Sequence, residues 1–298
     1  MTATHDRPAE RVPRPPRAAE RPARRPLRPR GLSGTALTVL TWAVALVFVS
    51  PALWMVLTAF KREADAYTDP PRLLFTPTLE RFATVFDAGI LPHVGNSLIA
   101  TLCSAALVVL LGVPAAYALS IAPVDRTRDV LFFFISTKML PVVAVIVPLY
   151  VAAGRLNVLD NIWTLVLLYT AMNLPIAVWM LRSFFLEVPT AVIEAARVEG
   201  ASLPRVLRSV MLPMMAPGIA ATVLICMIFS WNEFFFAVNL TASQAATVPV
   251  FMVGFITSES LYWAQLSAAA TVVSLPIVVV GWLAQRQLVR GLSMGAVK

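Results

Sequence analysis

The 298-residue chain is poor in charge and poor in the side chains of reactive chemistry. Charged residues make up 13% of it against 58% hydrophobic, too little charge for a water-soluble domain of this size. Three lysines are present, and none stands in the Gly-Lys-Ser/Thr setting of a phosphate-binding loop: Lys61 precedes Arg62, Lys138 precedes Met139 and Lys298 is the last residue. This polypeptide therefore carries no nucleotide site of that kind. Two histidines, His5 and His93, leave no His-Glu-x-x-His zinc motif and little basis for a Ser-His-Asp triad. His93 reads as a residue at a membrane interface. The two cysteines, Cys103 and Cys226, lie inside apolar stretches with no second cysteine or histidine at ligand spacing. They read as small buried hydrophobes, and neither a metal site nor a structural disulfide is expected.

What is present is apolar sequence in long blocks. Six segments, at about 36–58, 95–121, 130–153, 162–185, 214–238 and 266–285, each approach the ~20 residues a helix needs to cross a bilayer. The runs are too long and too uniform for barrel strands, and inside a membrane only helices or closed barrels satisfy the backbone. The expected fold class is an all-α integral membrane protein with six transmembrane helices in one domain, residues 31–298, with a core at about 91–286.

The net charge of +8 is concentrated at one end, because nine arginines fall in residues 1–30. No aromatic residue is interleaved with them, which argues against nucleic acid as a partner. This Arg-, Pro- and Ala-rich stretch is expected to be a disordered cytoplasmic tail. A secretory signal is excluded by the length of the apolar stretch that follows. Prolines and the acids Asp6, Glu10 and Glu20 argue against a transit peptide. With the N-terminus inside, eighteen lysines and arginines fall on the inner segments and five on the outer ones. Without the tail the bias is nine to five. Both termini and the loop between the fourth and fifth spans are then cytoplasmic.

Residues 59–94 carry an apolar pattern at Leu79, Phe82, Val85 and Phe86 that predicts a small surface helix. Residues 239–265 are polar with scattered aromatics, Phe251, Phe255, Tyr262 and Trp263, which suit an interfacial belt, a pore mouth or an external partner.

Three ionisable groups fall inside expected spans, where they are costly. Arg182 can snorkel to the headgroups, and Lys138, in STKMLP, either snorkels or faces a pore or a subunit interface. Glu233 follows Asn232 in SWNEFF, and the pair reads either as lining for a polar solute or as hydrogen-bonded glue between helices. Prolines 114, 141, 148, 175, 217 and 276 permit kinks, with Pro217 and Gly218 as a possible hinge.

The longest polar interruption of the second half is Glu194–Pro213, EAARVEGASLPRVLRSVMLP. Glu194–Arg197 favour a helix and Gly200 suits the left-handed residue that ends one. Ser202 is placed to cap a second helix with Pro204 in its first turn, and Pro213 closes the unit. The loop reads as a helix–turn–helix, either a docking element or a hairpin on the lipid surface.

Glu194, Ala195, Ala196, Gly200, Val210, Leu212 and Pro213 resemble the signature loop of ABC importer permeases. Val210 stands where isoleucine is more usual, and Glu199 where the sugar branch more often has aspartate. SWNEFFFAVNLT and the ending QLVRGLSMGAVK resemble maltose-type carbohydrate permeases of the smaller-subunit type. STKMLPVVAVIVPLY, YTAMNLPIAVWMLRSFF and LYWAQLSAAATV are most similar to permeases for sorbitol and mannitol. The resemblance runs from residue 31 onward. It implies a type I importer permease fold with a cytoplasmic coupling helix, and a protein that is not an enzyme and has no cofactor of its own. ATP and Mg would sit on two partner ATPase subunits. A second homologous permease and an extracytoplasmic solute-binding protein complete the implied complex in the cell membrane, and the substrate is a carbohydrate, in the finer reading a polyol. Asn232, Glu233, Tyr169 and Asn173 are candidates for the translocation path. An ion-coupled secondary transporter is the alternative, and a membrane scaffold a third reading, but no inverted repeat is evident and Glu233 is nearly the only membrane acid.

Overall fold

The computed structural model describes residues 32–121, 125–256 and 262–294, and the expected basic tail at 1–30 lies outside them. Among the described residues every regular element is a helix. Two compact units divide the chain, Met1–Ser50 and Pro51–Lys298. The described part of the first is the opening of α1 (Leu32–Ala59), whose last turns belong to the second unit.

The second unit continues with α2 (Glu63–Ala66), α3 (Glu80–Asp87) and α4 (Ile90–Ala118). Then come α5 (Thr127–Met139), α6 (Val142–Arg155), α7 (Ile162–Glu187) and α8 (Thr190–Val198). The short α9 (Leu203–Val206) runs through a π-helical turn at Leu207–Met211 into α10 (Leu212–Trp231). Two further short helices, α11 (Phe235–Leu240) and α12 (Val248–Val253), precede α13 (Trp263–Met294). The surface helix expected around Phe82 is α3, and its Val85 is buried.

Five helical stretches are long and apolar enough to cross a membrane: Gly34–Ala59, Ile90–Ala118, Ile162–Glu187, Leu203–Trp231 and Trp263–Gln285. The expected third span, 130–153, is instead two helices, α5 and α6, bent by 89°. Pro141 is the cause. It disfavours helical backbone in the residue before it, and Leu140 adopts ψ 125. The fifth span also differs from expectation: it starts at Leu203 and stops at Trp231, ahead of Asn232 and Glu233. Pro213 does not close the loop: the helix passes through it from Leu203 to Trp231, directly after the π-turn at Leu207–Met211.

Helices α4, α7 and α10 form the centre, and α10 also packs on α13. Ser97, Thr101, Ala105, Val108, Gly112 and Ala116 recur every three or four residues along the buried face of α4. Such small residues let helices approach closely where lipid removes the hydrophobic drive for association. Gly112 shows how close: a Cβ built there would lie 3.2 Å from Leu181 Cδ1 of α7. Gly218 of α10 is tighter, since the Phe184 ring of α7 occupies the space a Cβ would need. The helix runs on through Pro217 and Gly218.

The scarce charges act on helix ends. Glu63 of α2 accepts from the amides of Ala264 and Gln265 at the start of α13, at 3.0 and 3.4 Å. Arg182 Nε donates to the Leu119 carbonyl at the end of α4, at 3.0 Å, so it caps a neighbouring helix within the chain. Lys138 Nζ donates to the Met172 carbonyl at 2.9 Å, within α7 and one residue after the Ala171 carbonyl that Pro175 leaves without an N–H. Glu63 and Arg182 thus meet backbone groups that helix ends leave without a partner.

Gly218→Val is expected to force the Phe184 ring aside and to destabilise the protein by roughly 1–3 kcal/mol. The check is the thermal unfolding midpoint in detergent, and pairing the change with Phe184→Ala is expected to recover part of the loss.

Candidate functional site

The Glu194–Pro213 segment is a helix–turn–helix whose turn follows from its sequence. Helix α8 ends at Glu199, and Gly200 takes a left-handed φ of 78. The Ala201 amide bonds to the Ala196 carbonyl at 3.0 Å, and the Gly200 amide to Arg197 at 2.9 Å. These two bonds are the Schellman pattern that satisfies the last carbonyls of a helix. Ser202 occupies the capping position of α9, but its side chain makes no capping bond, contrary to expectation. The extended backbone at Ser202 and the proline after Leu203 start the helix without it.

One side of this unit is bound to the bundle. Ile193, Val206 and Met211 are buried together with Leu181 and Phe185 of α7 and Val113 and Ala116 of α4. Burial of Ile193 and Val206 stabilises the seat by about 2 kcal/mol each. The other side faces out. Glu194, Ala195, Gly200 and Pro213 are exposed, and Ala196, Val210 and Leu212 are half-buried. Val198 is 88% exposed and Leu203 52%. Two apolar side chains at the tip of a polar loop are what a docking surface offers. The spacing of Glu194, Ala195, Ala196 and Gly200 was legible in the sequence. The exposure of Val198 was not, although an apolar residue between Arg197 and Glu199 is its signal.

The four candidates for the solute path lie near the end of α10, in different settings. Asn173 is fully buried in α7, and its Nδ2 donates to Ser230 Oγ and to the Tyr169 carbonyl, both at 2.9 Å. Ser230 Oγ lies 3.2 Å from Ser104 Oγ, so α4, α7 and α10 share one polar node. Asn173 Oδ1 and Thr101 Oγ1 are buried nearby without a hydrogen-bond partner. Tyr169 is buried and sends its hydroxyl toward the Glu233 backbone carbonyl at 3.5 Å. Glu233 lies beyond α10, where its carboxylate accepts from the amides of Phe236 and Ala237 at 2.9 and 3.3 Å and starts α11. Asn232 ends α10 with an exposed amide that donates to Ile228. The acid and amide thus stand at a helix break rather than within an apolar helix. Ser104 and Ser230 escaped sequence reasoning because lone serines in apolar helices carry no motif.

The segment between α11 and α12 is tied down by one acid. Asp160, before α7, accepts from the amides of Ala242, Ser243, Gln244 and Ala245 at 2.9–3.2 Å. Asn96 Nδ2 donates to the Gln244 and Ala246 carbonyls at 2.8 and 3.0 Å, and the Val248 amide donates to Ser97 Oγ at 2.9 Å. Partial burial pushes the Asp160 carboxyl up, but the four amides outweigh it and hold the carboxyl well below the usual carboxylate range. A carboxyl depressed on folding stabilises the fold above its unfolded value, near 3.8, and loses that contribution only as pH falls toward the folded value. Asp160→Asn is therefore expected to raise amide exchange at 242–245 by a local cost on the order of 1–3 kcal/mol. Hydrogen exchange at neutral pH checks this, and the gap between wild type and variant is expected to persist to pH about 5 and to shrink below about 4.

With this geometry in place, likeness to known proteins is informative. The family described as "Binding-protein-dependent transport system inner membrane component" matches residues 108–294. A probable ABC transporter permease protein of Sinorhizobium fredii, y4oR, is 39% identical over 264 residues, 88% of this chain and 95% of that protein. The diacetylchitobiose uptake system permease protein DasC of Streptomyces coelicolor is 31% identical over 266 residues, again 88% of this chain and 95% of that one. In fold, the chain is similar to a chain from the crystal structure of a bacterial ABC transporter involved in the import of the acidic polysaccharide alginate. The TM-score is 0.69 at 20% identity, covering 86% of this chain and 96% of the other. Its helices have the type I importer permease fold, and the chain belongs to the family of inner membrane components of binding-protein-dependent transport systems, the non-enzymatic permeases of ABC transporters.

Proposed function

We propose that this chain is one of two permeases of an ATP-driven carbohydrate importer and that the Glu194–Pro213 unit receives the motion of the ATPase. The observation that carries the reading is the two-sided character of that unit: Ile193, Val206 and Met211 anchor it, while Glu194, Val198 and Leu203 face outward. A second, homologous permease completes the path, two ATPase subunits hold ATP and Mg, and an extracytoplasmic binding protein delivers solute. In this reading α5 and α6 together make one crossing, so that both termini and the coupling unit lie in the cytoplasm, which the excess of arginine on those segments supports.

Closure of the ATPases moves α8 and α9. Since α9 joins α10 through a π-turn without an intervening loop, α10 moves with them, and the bundle switches between two states as a rigid body. Glu194 and the backbone around Gly200 meet the ATPase groove, with Ala195 and Ala196 small enough to let the surfaces close. Val210, Leu212 and Pro213 carry the motion into α10. Asn232 presents its amide to the solute, and Glu233, Tyr169 and Asn173 form the layer behind it.

The substrate is a carbohydrate, and the segments around Lys138, Tyr169 and Trp263 support a sugar alcohol of the sorbitol and mannitol class. A disaccharide is the second reading, favoured by the relative named for diacetylchitobiose uptake. Uptake of labelled sorbitol, mannitol and diacetylchitobiose by a strain lacking this gene separates them: loss of polyol uptake supports the first, and loss of disaccharide uptake alone overturns it.

The coupling role has its own test. Within this chain no neighbour lies within 4 Å of a Cβ added at Gly200, so inside the permease a substitution acts through the positive φ, and any further effect is felt at the ATPase groove. Gly200→Val is expected to lower uptake about tenfold or more, because an L-residue in that conformation costs roughly 1–2 kcal/mol. Gly200→Asn, which tolerates the conformation, is expected to stay near wild type while both proteins insert normally. Equal uptake by Gly200→Val contradicts the assignment.

A further inference from the structure

The C-terminal end of α1 and the N-terminal end of α13 meet at one membrane face around a cavity of about 560 Å³. Two helical stripes line it, Pro51, Trp54, Met55 and Thr58 on α1 against Trp263, Leu266, Ser267 and Ala270 on α13. Both follow the i, i+3, i+4, i+7 spacing of a single helix face. Trp54 and Trp263 are partly exposed near the ends of two apolar helices, the setting in which indole rings mark a membrane boundary.

A cation is enclosed at the polar end. Lys61 is 1% exposed, with its Nζ 4.2 Å from the centre of the Trp54 ring and 5.4 Å from that of Phe75. Aromatic faces attract an ammonium group without neutralising it. No acid among the described residues pairs with it. Asp65, which also lines the cavity, is bound to Arg72 at 2.8 Å, and Glu63 is engaged by the first amides of α13. Thr58 Oγ1, buried on the same wall, has no hydrogen-bond partner. A buried ammonium and a buried hydroxyl without an acceptor are both costly, and one anion relieves both. Two or three turns deeper the walls are Pro51, Met55 and Ala270, which offer that anion nothing.

We propose that this cavity binds a phospholipid of the surrounding bilayer. Its phosphate sits on Lys61, with the Thr58 hydroxyl donating to a phosphate oxygen, and its acyl chain lies between the α1 and α13 stripes. The same phosphate chemistry could be met by free inorganic phosphate, but only an amphiphile fills both ends. The proposal rests on the membrane setting of the chain and is independent of the solute carried.

The test uses the complete transporter, permease pair with ATPases, delipidated and titrated with phosphatidylglycerol while native mass spectrometry counts bound lipid. Inorganic phosphate is titrated in a parallel arm. The expected result is one lipid whose affinity falls about tenfold or more in Lys61→Met and is retained in Lys61→Arg. Ala270→Leu, which narrows the apolar end and leaves the charge in place, is expected to weaken the lipid as well. Millimolar inorganic phosphate is expected not to displace it. If Lys61→Met fails to assemble, the contrast between Lys61→Arg and Ala270→Leu decides the matter. Equal lipid binding by wild type and Lys61→Met overturns the proposal. So does displacement by inorganic phosphate with Ala270→Leu unaffected, which assigns the site to a free anion. Lipid binding that appears only when the second permease is removed also overturns it, since Lys61 then pairs with a partner's acid in the assembled protein.

Discussion

The rest of the structure depends on the seat of a short helix–turn–helix on the ends of α4 and α7. Ile193, Val206 and Met211 bury their side chains against Leu181, Phe185, Val113 and Ala116. This apolar contact, and the continuous run from α9 into α10, make the Glu194–Pro213 unit part of the bundle rather than a loose loop. A segment fixed in this way moves with the helices that hold it. Its Val198 and Leu203 side chains stand exposed on the side away from that anchor.

The bundle is held by a different chemistry. In a membrane, apolar faces gain little by associating with one another instead of with lipid, so close backbone contact and a few hydrogen bonds decide which helices pair. Here the small residues of α4 admit α7, Phe184 lies over Gly218, and the Ser104–Ser230–Asn173 node joins three helices. The few charges finish helix ends: Glu63 on α13, Arg182 on α4, Glu233 on α11, and Asp160 on the segment before α12.

Much of this was legible in the residues. Long apolar blocks announce the spans, and Gly200 announces the turn, because few other residues take its backbone conformation. The amphipathic pattern around Phe82 announced α3. What misled is equally physical. Pro141 ended a helix where hydropathy saw one continuous run, since hydropathy averages over a break of a residue or two. Trp231 ended α10 early because Glu233 offers its carboxylate to the next helix, and a side chain's choice of partner is invisible to periodicity. Pro213 reads as a stop in sequence, but the helix passes through it directly after the π-turn at Leu207–Met211. The node serines and the outward face of Val198 depend on tertiary neighbours that no local window contains. Family membership then decided between the two transport classes in favour of the ATP-driven one.

The most direct measurement concerns the tip of the coupling unit. Val198→Cys, in a protein with Cys103 and Cys226 replaced by alanine, places one thiol at the most exposed apolar side chain of that unit. Its reaction with a membrane-impermeant maleimide can be followed in the permease pair alone and after the ATPase subunits are added. The expected result is ready labelling of the pair and protection in the full complex. Equal labelling in both would mean that the ATPase docks elsewhere, and would contradict the role assigned to Glu194–Pro213.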